Sequence, residues 1–125
     1  MKKIKRLPDA ELVVMQALWD TGKSAYRTEI EERLDPKRKM AQTTLLTLLS
    51  RLEGKRFVRV EKDGRNNLYT PLINKEDYLA SESRTLIEKL CGGNMSVFAT
   101  ALNDSGLSKA ELEELKSLLK DGMKK

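Results

Sequence analysis

Residues 57 to 71, "FVRVEKDGRNNLYTP", constrain this chain more than any other stretch. Residues 57 to 62 alternate apolar and polar as a strand does, Asp63-Gly64 is a strong hairpin signal, and "RNNLYTP" supplies a return strand ending at Pro71. Everything before it reads as helix. "PDAELVVMQALWD" sets Leu12, Met15 and Trp19 at helical spacing, with Asp9 or the residue before it as N-cap and Gly22 closing the segment. Ser24 then caps a second helix, "AYRTEIEERL", with Tyr26, Ile30 and Leu34 at i, i+4 and i+8. Pro36 bars the residue before it from the helical region, so "DPKRK" is a break. A third helix follows in "MAQTTLLTLLSRL", residues 40 to 52. Three helices and a basic hairpin, in that order, are the elements of a winged helix whose second and third helices form a helix-turn-helix.

The third helix has an unusual polar side. At about 100° per residue, Leu45, Leu48, Leu49 and Leu52 gather on one face, while Thr43, Thr47, Ser50 and Gly54 gather opposite. Thr44 and Arg51 flank the polar stripe on one side, and Leu46 flanks it on the other, half out of the core. Thr and Ser are mediocre helix formers that compete with the backbone for hydrogen bonds. They do permit close approach, and they offer hydroxyls to phosphates or base edges and methyls to thymine. That suits a DNA major groove. The same residues could instead abut another helix or bond back to carbonyls one turn earlier.

Charge distribution favours the groove. The net charge is +5, but residues 1 to 36 hold seven basic and seven acidic side chains, residues 37 to 73 nine and three, and residues 74 to 125 eight and nine. The excess positive charge therefore lies in the middle segment, as a polyanion-binding surface requires. Thr43, Thr44, Leu46 and Thr47 are the expected base-reading residues, and Arg38, Lys39, Arg51, Lys55 and Arg65 the expected contacts to the DNA backbone. For Arg65 the alternative is an ordinary exposed turn.

From Asn74 the pattern is helical without basic excess. "KEDYLASESRTLIEKL" carries Leu79, Leu86 and Leu90 on one side, "CGGN" interrupts, and "MSVFATAL" sets Met95, Phe98, Ala99 and Leu102 at i, i+3, i+4 and i+7. Ser108 and Glu111 make a capping box, Leu107 and Leu112 a hydrophobic staple, and Leu112, Leu115 and Leu119 a stripe. So short a segment buries several apolar stripes poorly on its own, which points to a second copy of the chain. The expected organisation is a DNA-binding domain over residues 1–73 and a helical dimerisation domain over 74–125. The fold class is α+β, mainly helical, with an N-terminal winged helix-turn-helix.

Other function classes find little support. The chain has no histidine and one cysteine, Cys91, so neither a disulfide framework nor a usual zinc spacing can be assembled. Missing histidine also removes the commonest general acid and base, and no Gly-rich phosphate loop or paired-carboxylate pattern is present. No enzyme activity, metal or cofactor is expected, and Cys91 reads as a small packing residue. No run approaches the roughly 20 apolar residues of a membrane span, and "MKKIKRLPDAE" lacks the apolar core of a signal peptide, so the expected address is the cytoplasm.

"AELVVMQALW", "TTLLTLLSRL", "GRNNLYTPLI" and "LSKAELEELKSLL" resemble, in order and spacing, the BlaI/MecI/CopY penicillinase-repressor family over about residues 7 to 120. The resemblance implies a homodimeric winged-helix repressor of a palindromic double-stranded DNA operator. It places the recognition helix at residues 41 to 54 and dimer contacts in the C-terminal helices. Members released by antibiotic sensing are similar to substrates of a membrane sensor-protease system that cuts an Asn-Phe bond. Matching "NMSVFATALND" puts Thr100 and Ala101 at that bond, so the pair differs here. Copper-responsive members carry clustered cysteines near the C-terminus, unlike "KSLLKDGMKK". The family often has Lys-Gly just before the wing, where "GKRF" moves the glycine to position 54. The competing reading is a winged-helix module that binds a protein partner, its basic stripe merely solvated.

Overall fold

The computed structural model describes residues 4–122 and divides into two compact units between Glu82 and Ser83. The first unit holds α1 (Asp9–Asp20), β1 (Ala25–Tyr26), α2 (Arg27–Glu32), a single 3-10 turn (Pro36–Arg38), α3 (Gln42–Gly54), β2 (Val58–Asp63) and β3 (Asn66–Pro71). The strands form one antiparallel sheet in the order β1-β3-β2.

The leucines of α3 do what their spacing requires. Leu45, Leu49 and Leu52 are fully buried with Val14, Met15 and Leu18 of α1, Ile30 of α2, Phe57 just before β2 and Val58 at its start. These side chains form one core, joined by Ala25 and Tyr69 from the inner face of the sheet. Tyr78, in the first turns of α4 (Lys75–Leu90), packs into the same core, with its ring 5.7 Å from Trp19 and 6.0 Å from Phe57. Its hydroxyl accepts the Leu7 N–H at 2.9 Å, and Ser81 Oγ accepts the Ile4 N–H at 3.2 Å.

Two local expectations change. Ser24 does not cap the second helix, because Ala25 and Tyr26 are drawn into a short strand against Tyr69 and Leu68 of β3. The helix begins at Arg27 instead, with the Glu29 carboxylate accepting the Tyr26 N–H at 3.0 Å, while the Ser24 hydroxyl lies 2.7 Å from that of Thr70. The wing turn is also shifted. Asp63 pairs with Asn66, so the two central turn residues are Gly64 and Arg65, and Gly64 supplies the positive φ of 65° that the first turn position needs.

At the end of α3 the chain reverses through a Schellman closure. Phe57 N–H donates to Leu52 O at 2.9 Å and Arg56 N–H to Glu53 O at 3.0 Å, with Arg56 in the left-handed region at φ 62°. Leu52 and Phe57, the pair that normally cements this motif, are both buried.

The second unit contains the end of α4, then α5 (Met95–Asp104) and α6 (Lys109–Gly122). Gly92 and Gly93 at positive φ interrupt the helices, and the Asn94 side chain caps α5 by accepting from Ser96 N–H at 2.8 Å and Val97 N–H at 3.3 Å. The Ser108/Glu111 capping box is present, with both reciprocal bonds made at 2.8 and 3.1 Å. No residue of α5 or α6 is buried within the chain. No helix among the described residues is long and apolar enough to cross a membrane.

Candidate nucleic-acid interface

The helix-turn-helix presents the hydroxyl face of α3 to solvent. Thr43, Thr44, Thr47 and Ser50 are exposed, opposite the buried leucines. Leu46 is 38% exposed on the rim, which keeps its methyls available without placing it at the centre of that face. The Thr47 hydroxyl donates to Thr43 O at 2.9 Å, the back-bonding arrangement that hydroxyl residues adopt inside helices. Its proton is thereby occupied, and what the exposed side chain still has to offer is an acceptor lone pair and a methyl.

Basic side chains surround this face at both ends. Asp35 caps the 3-10 turn by accepting from Lys37 N–H at 2.9 Å, and so orders the backbone that carries Arg38 and Lys39 ahead of α3. Arg51 stands in the last turn of α3 and Arg65 at the wing turn, both exposed. None of Arg38, Lys39, Arg51 and Arg65 makes a salt bridge with another described residue. Of the acidic groups in the same segment, Glu61 is paired with Arg59 at 2.7 Å, and Asp63 accepts a hydrogen bond from the Tyr26 phenol. That bond and the Asp63 charge hold the Tyr26 phenol above its ordinary pKa.

Lys55 is placed differently from the other expected backbone contacts. Its ammonium lies 2.6 Å from Glu11 Oε1, and Glu11, on α1, is only 3% exposed. Sequence reasoning passed over Glu11, although positions 11, 14, 15 and 18 share one helical face with the core residues. It read Tyr26 only as an apolar position of the second helix, and gave Arg27, Thr28 and Tyr69 no place in the site. With Leu46, Arg65, Asn66 and Asn67 these line a concavity of about 350 Å³ between α3, the start of α2 and the wing. The expected dimer contacts Leu79, Leu86, Leu90 and Leu119 are exposed, and Phe98, Leu102, Leu112 and Leu115 are half-buried. Among the described residues no cluster of three or more metal-ligating side chains occurs.

Comparison with known proteins matches residues 7–121 to the family model described as penicillinase repressor. The chain is 32% identical over 122 residues to the penicillinase repressor of Bacillus licheniformis, covering 97% of this chain and 94% of that one. It is 30% identical over 118 residues to the methicillin resistance regulatory protein MecI of Staphylococcus aureus, covering 94% and 95%. Among solved structures it is similar to Bacillus licheniformis BlaI in its monomeric form, in complex with the blaP half-operator. That match has a TM-score of 0.51 and 37% identity, and covers 62% of this chain and 94% of that one.

Proposed function

The chain belongs to the penicillinase repressor family, and on that premise we propose that it is a DNA-binding repressor that acts as a homodimer on a palindromic operator. One observation carries the reading most directly. A helix face of short hydroxyl side chains is ringed by four basic residues that have no acidic partner among the described residues. Such a face admits the edges of base pairs while the arginines and lysine hold the phosphates on either side. The relative bound to a half-operator supports the same use of the first unit.

Thr43, Thr44, Leu46 and Thr47 read bases in this proposal, with Thr47 acting through its methyl and its lone pair because its proton is engaged by Thr43 O. Arg38, Lys39, Arg51 and Arg65 hold phosphates. Lys55 is committed to Glu11, and its contribution to DNA is secondary. The helices of residues 74–125 join two protomers, apart from the first turns of α4, which complete the core of the first unit through Tyr78. Dimer symmetry sets half-sites about 10 base pairs apart, or a multiple of that.

Selection of duplexes from a randomised pool tests this. The wild-type chain should enrich a palindrome, with log affinity falling against log salt by about 0.9 for each phosphate neutralised. Thr47→Ala should flatten the preference at one position of each half-site. A chain that enriches nothing, or binds independently of salt, contradicts the proposal. Unchanged DNA binding by Thr47→Ala would instead favour the protein-partner reading.

A further inference from the structure

We propose that Tyr26 is a positioning residue for the wing: its phenol anchors Asp63 and thereby fixes where the turn presents Arg65 to a DNA phosphate. The inference rests on the DNA-binding reading and names a residue outside the recognition helix on which that reading depends.

Strand register carries the first part. Tyr26 pairs with Leu68, and Leu68 pairs with Glu61, so these three side chains lie in one row on one face of the sheet. Asp63, two residues beyond Glu61, shares that face, and the phenol reaches diagonally past β3 to donate to its carboxylate. β1 covers only Leu68 and Tyr69 of β3. The tip, with Lys62 and Asp63 paired to Asn67 and Asn66, is therefore a two-stranded overhang. Two-stranded ribbons are weakly held on their own and twist more than full sheets. The Tyr26–Asp63 bond ties this overhang to the body of the domain.

Turn geometry carries the second part. Only Gly64 and Arg65 stand between the paired residues Asp63 and Asn66, so fixing Asp63 leaves the Arg65 backbone little freedom. Arg65 and Tyr26 both line the concavity that also holds Leu46 of α3, so wing and recognition helix face one gap. Electrostatics carries the third. A carboxylate beside a turn that meets a polyanion opposes binding, and Asp63 forms no salt bridge with a described residue that would cancel it. Its use is the anchor it gives the phenol.

Asp63→Asn and Asp63→Ala make the same change of charge, and only the asparagine keeps an acceptor for Tyr26, so their comparison isolates the link. With the full chain and a duplex selected by wild type from a randomised pool, Asp63→Asn should bind at least as tightly as wild type. Asp63→Ala should bind about fivefold more weakly than Asp63→Asn. Tyr26→Phe should weaken wild type by a similar factor and flatten the salt dependence. In an Arg65→Ala background it should have no further effect, since it acts through Arg65. Equal affinities for the two Asp63 variants, or additive effects of Tyr26→Phe and Arg65→Ala, overturn the inference while leaving the repressor reading intact. Arg65→Ala binding like wild type overturns both the inference and the wing contact. A wild-type chain that selects no duplex overturns the repressor reading itself.

Discussion

Glu11 on α1 and Lys55 at the C-cap of α3 meet at 2.6 Å across the first unit, the carboxylate buried and the lysine a quarter exposed. This pair ties the end of the proposed recognition helix to the helix behind it. Removing one partner strands the other charge, so Lys55→Met should destabilise the chain by about 3 kcal/mol, at the low end for buried pairs because Lys55 keeps some contact with water. Glu11→Gln, which retains an acceptor, should cost less. Replacing both together with Leu and Met should return stability close to wild type. Urea denaturation of the three variants checks this, and a double variant as unstable as Lys55→Met would mean that the pair is not the source of the loss.

Gly54 and Arg56 occupy each other's best positions. Gly54 lies inside the last turn of α3, where an added Cβ would meet no atom within 4 Å, so Gly54→Ala should stabilise by up to about 1 kcal/mol. Arg56 sits at φ 62°, a conformation costing most residues roughly 1–2 kcal/mol, and Arg56→Gly should therefore stabilise by about 1 kcal/mol. Gly64→Ala, at φ 65° in the wing turn, should do the opposite. Chemical denaturation midpoints give all three signs.

Local patterns made most of this fold legible. The leucine face of α3, the break at Pro36 and the Ser108/Glu111 box each depend on residues a few positions apart, and each appears as read. β1 was hidden because two residues are too few to display alternation, and its helical spacing at Tyr26 suggested a longer α2. Asp63-Gly64 marked the turn, but its register depended on the pairing of Asp63 with Asn66 across the strands. The links that position the site are the least legible: Tyr26 to Asp63 spans 37 residues and Lys55 to Glu11 spans 44. Nothing in the local sequence assigns Lys55 to an internal carboxylate in preference to a phosphate.

Tyr78 couples the core to alkaline pH. Burial pushes its phenol above the ordinary value of 10.0, the Leu7 N–H that it accepts opposes this, and the Glu82 carboxylate adds to the rise. The fold thus favours the protonated phenol. That stability is complete below pH 10 and is lost as pH rises through the raised pKa. Tyr78→Phe should cost about 1–2 kcal/mol at neutral pH, because it leaves the Leu7 N–H unpaired. Above pH 10 the gap between wild type and variant should narrow. Tyr26, whose phenol is also raised, is present in both chains and cancels in the difference. A gap that stays constant to pH 11 or so would contradict a titrating Tyr78.

Apolar exposure in the second unit carries the last prediction. Leu90 is 75% exposed and Leu119 61%, with Met95 and Leu118 similarly open, and a lone helix-rich segment does not retain such side chains for its own stability. Burial against a second copy would remove them from water at roughly 25 cal/mol per Å² of apolar area. Leu90→Glu and Leu119→Glu would place charges in the proposed contact, and both should shift the chain from dimer to monomer in sedimentation equilibrium. Neither side chain belongs to the core of the first unit, so its thermal unfolding should be unchanged. Affinity for a duplex with two half-sites should then fall steeply, while affinity for a single half-site stays near wild type, because in the proposed dimer each half-site is read by one first unit. Charged variants that remain dimeric would move the interface elsewhere. Equal losses on single and double half-sites would show that the leucines support the DNA-binding unit itself rather than the pairing of two.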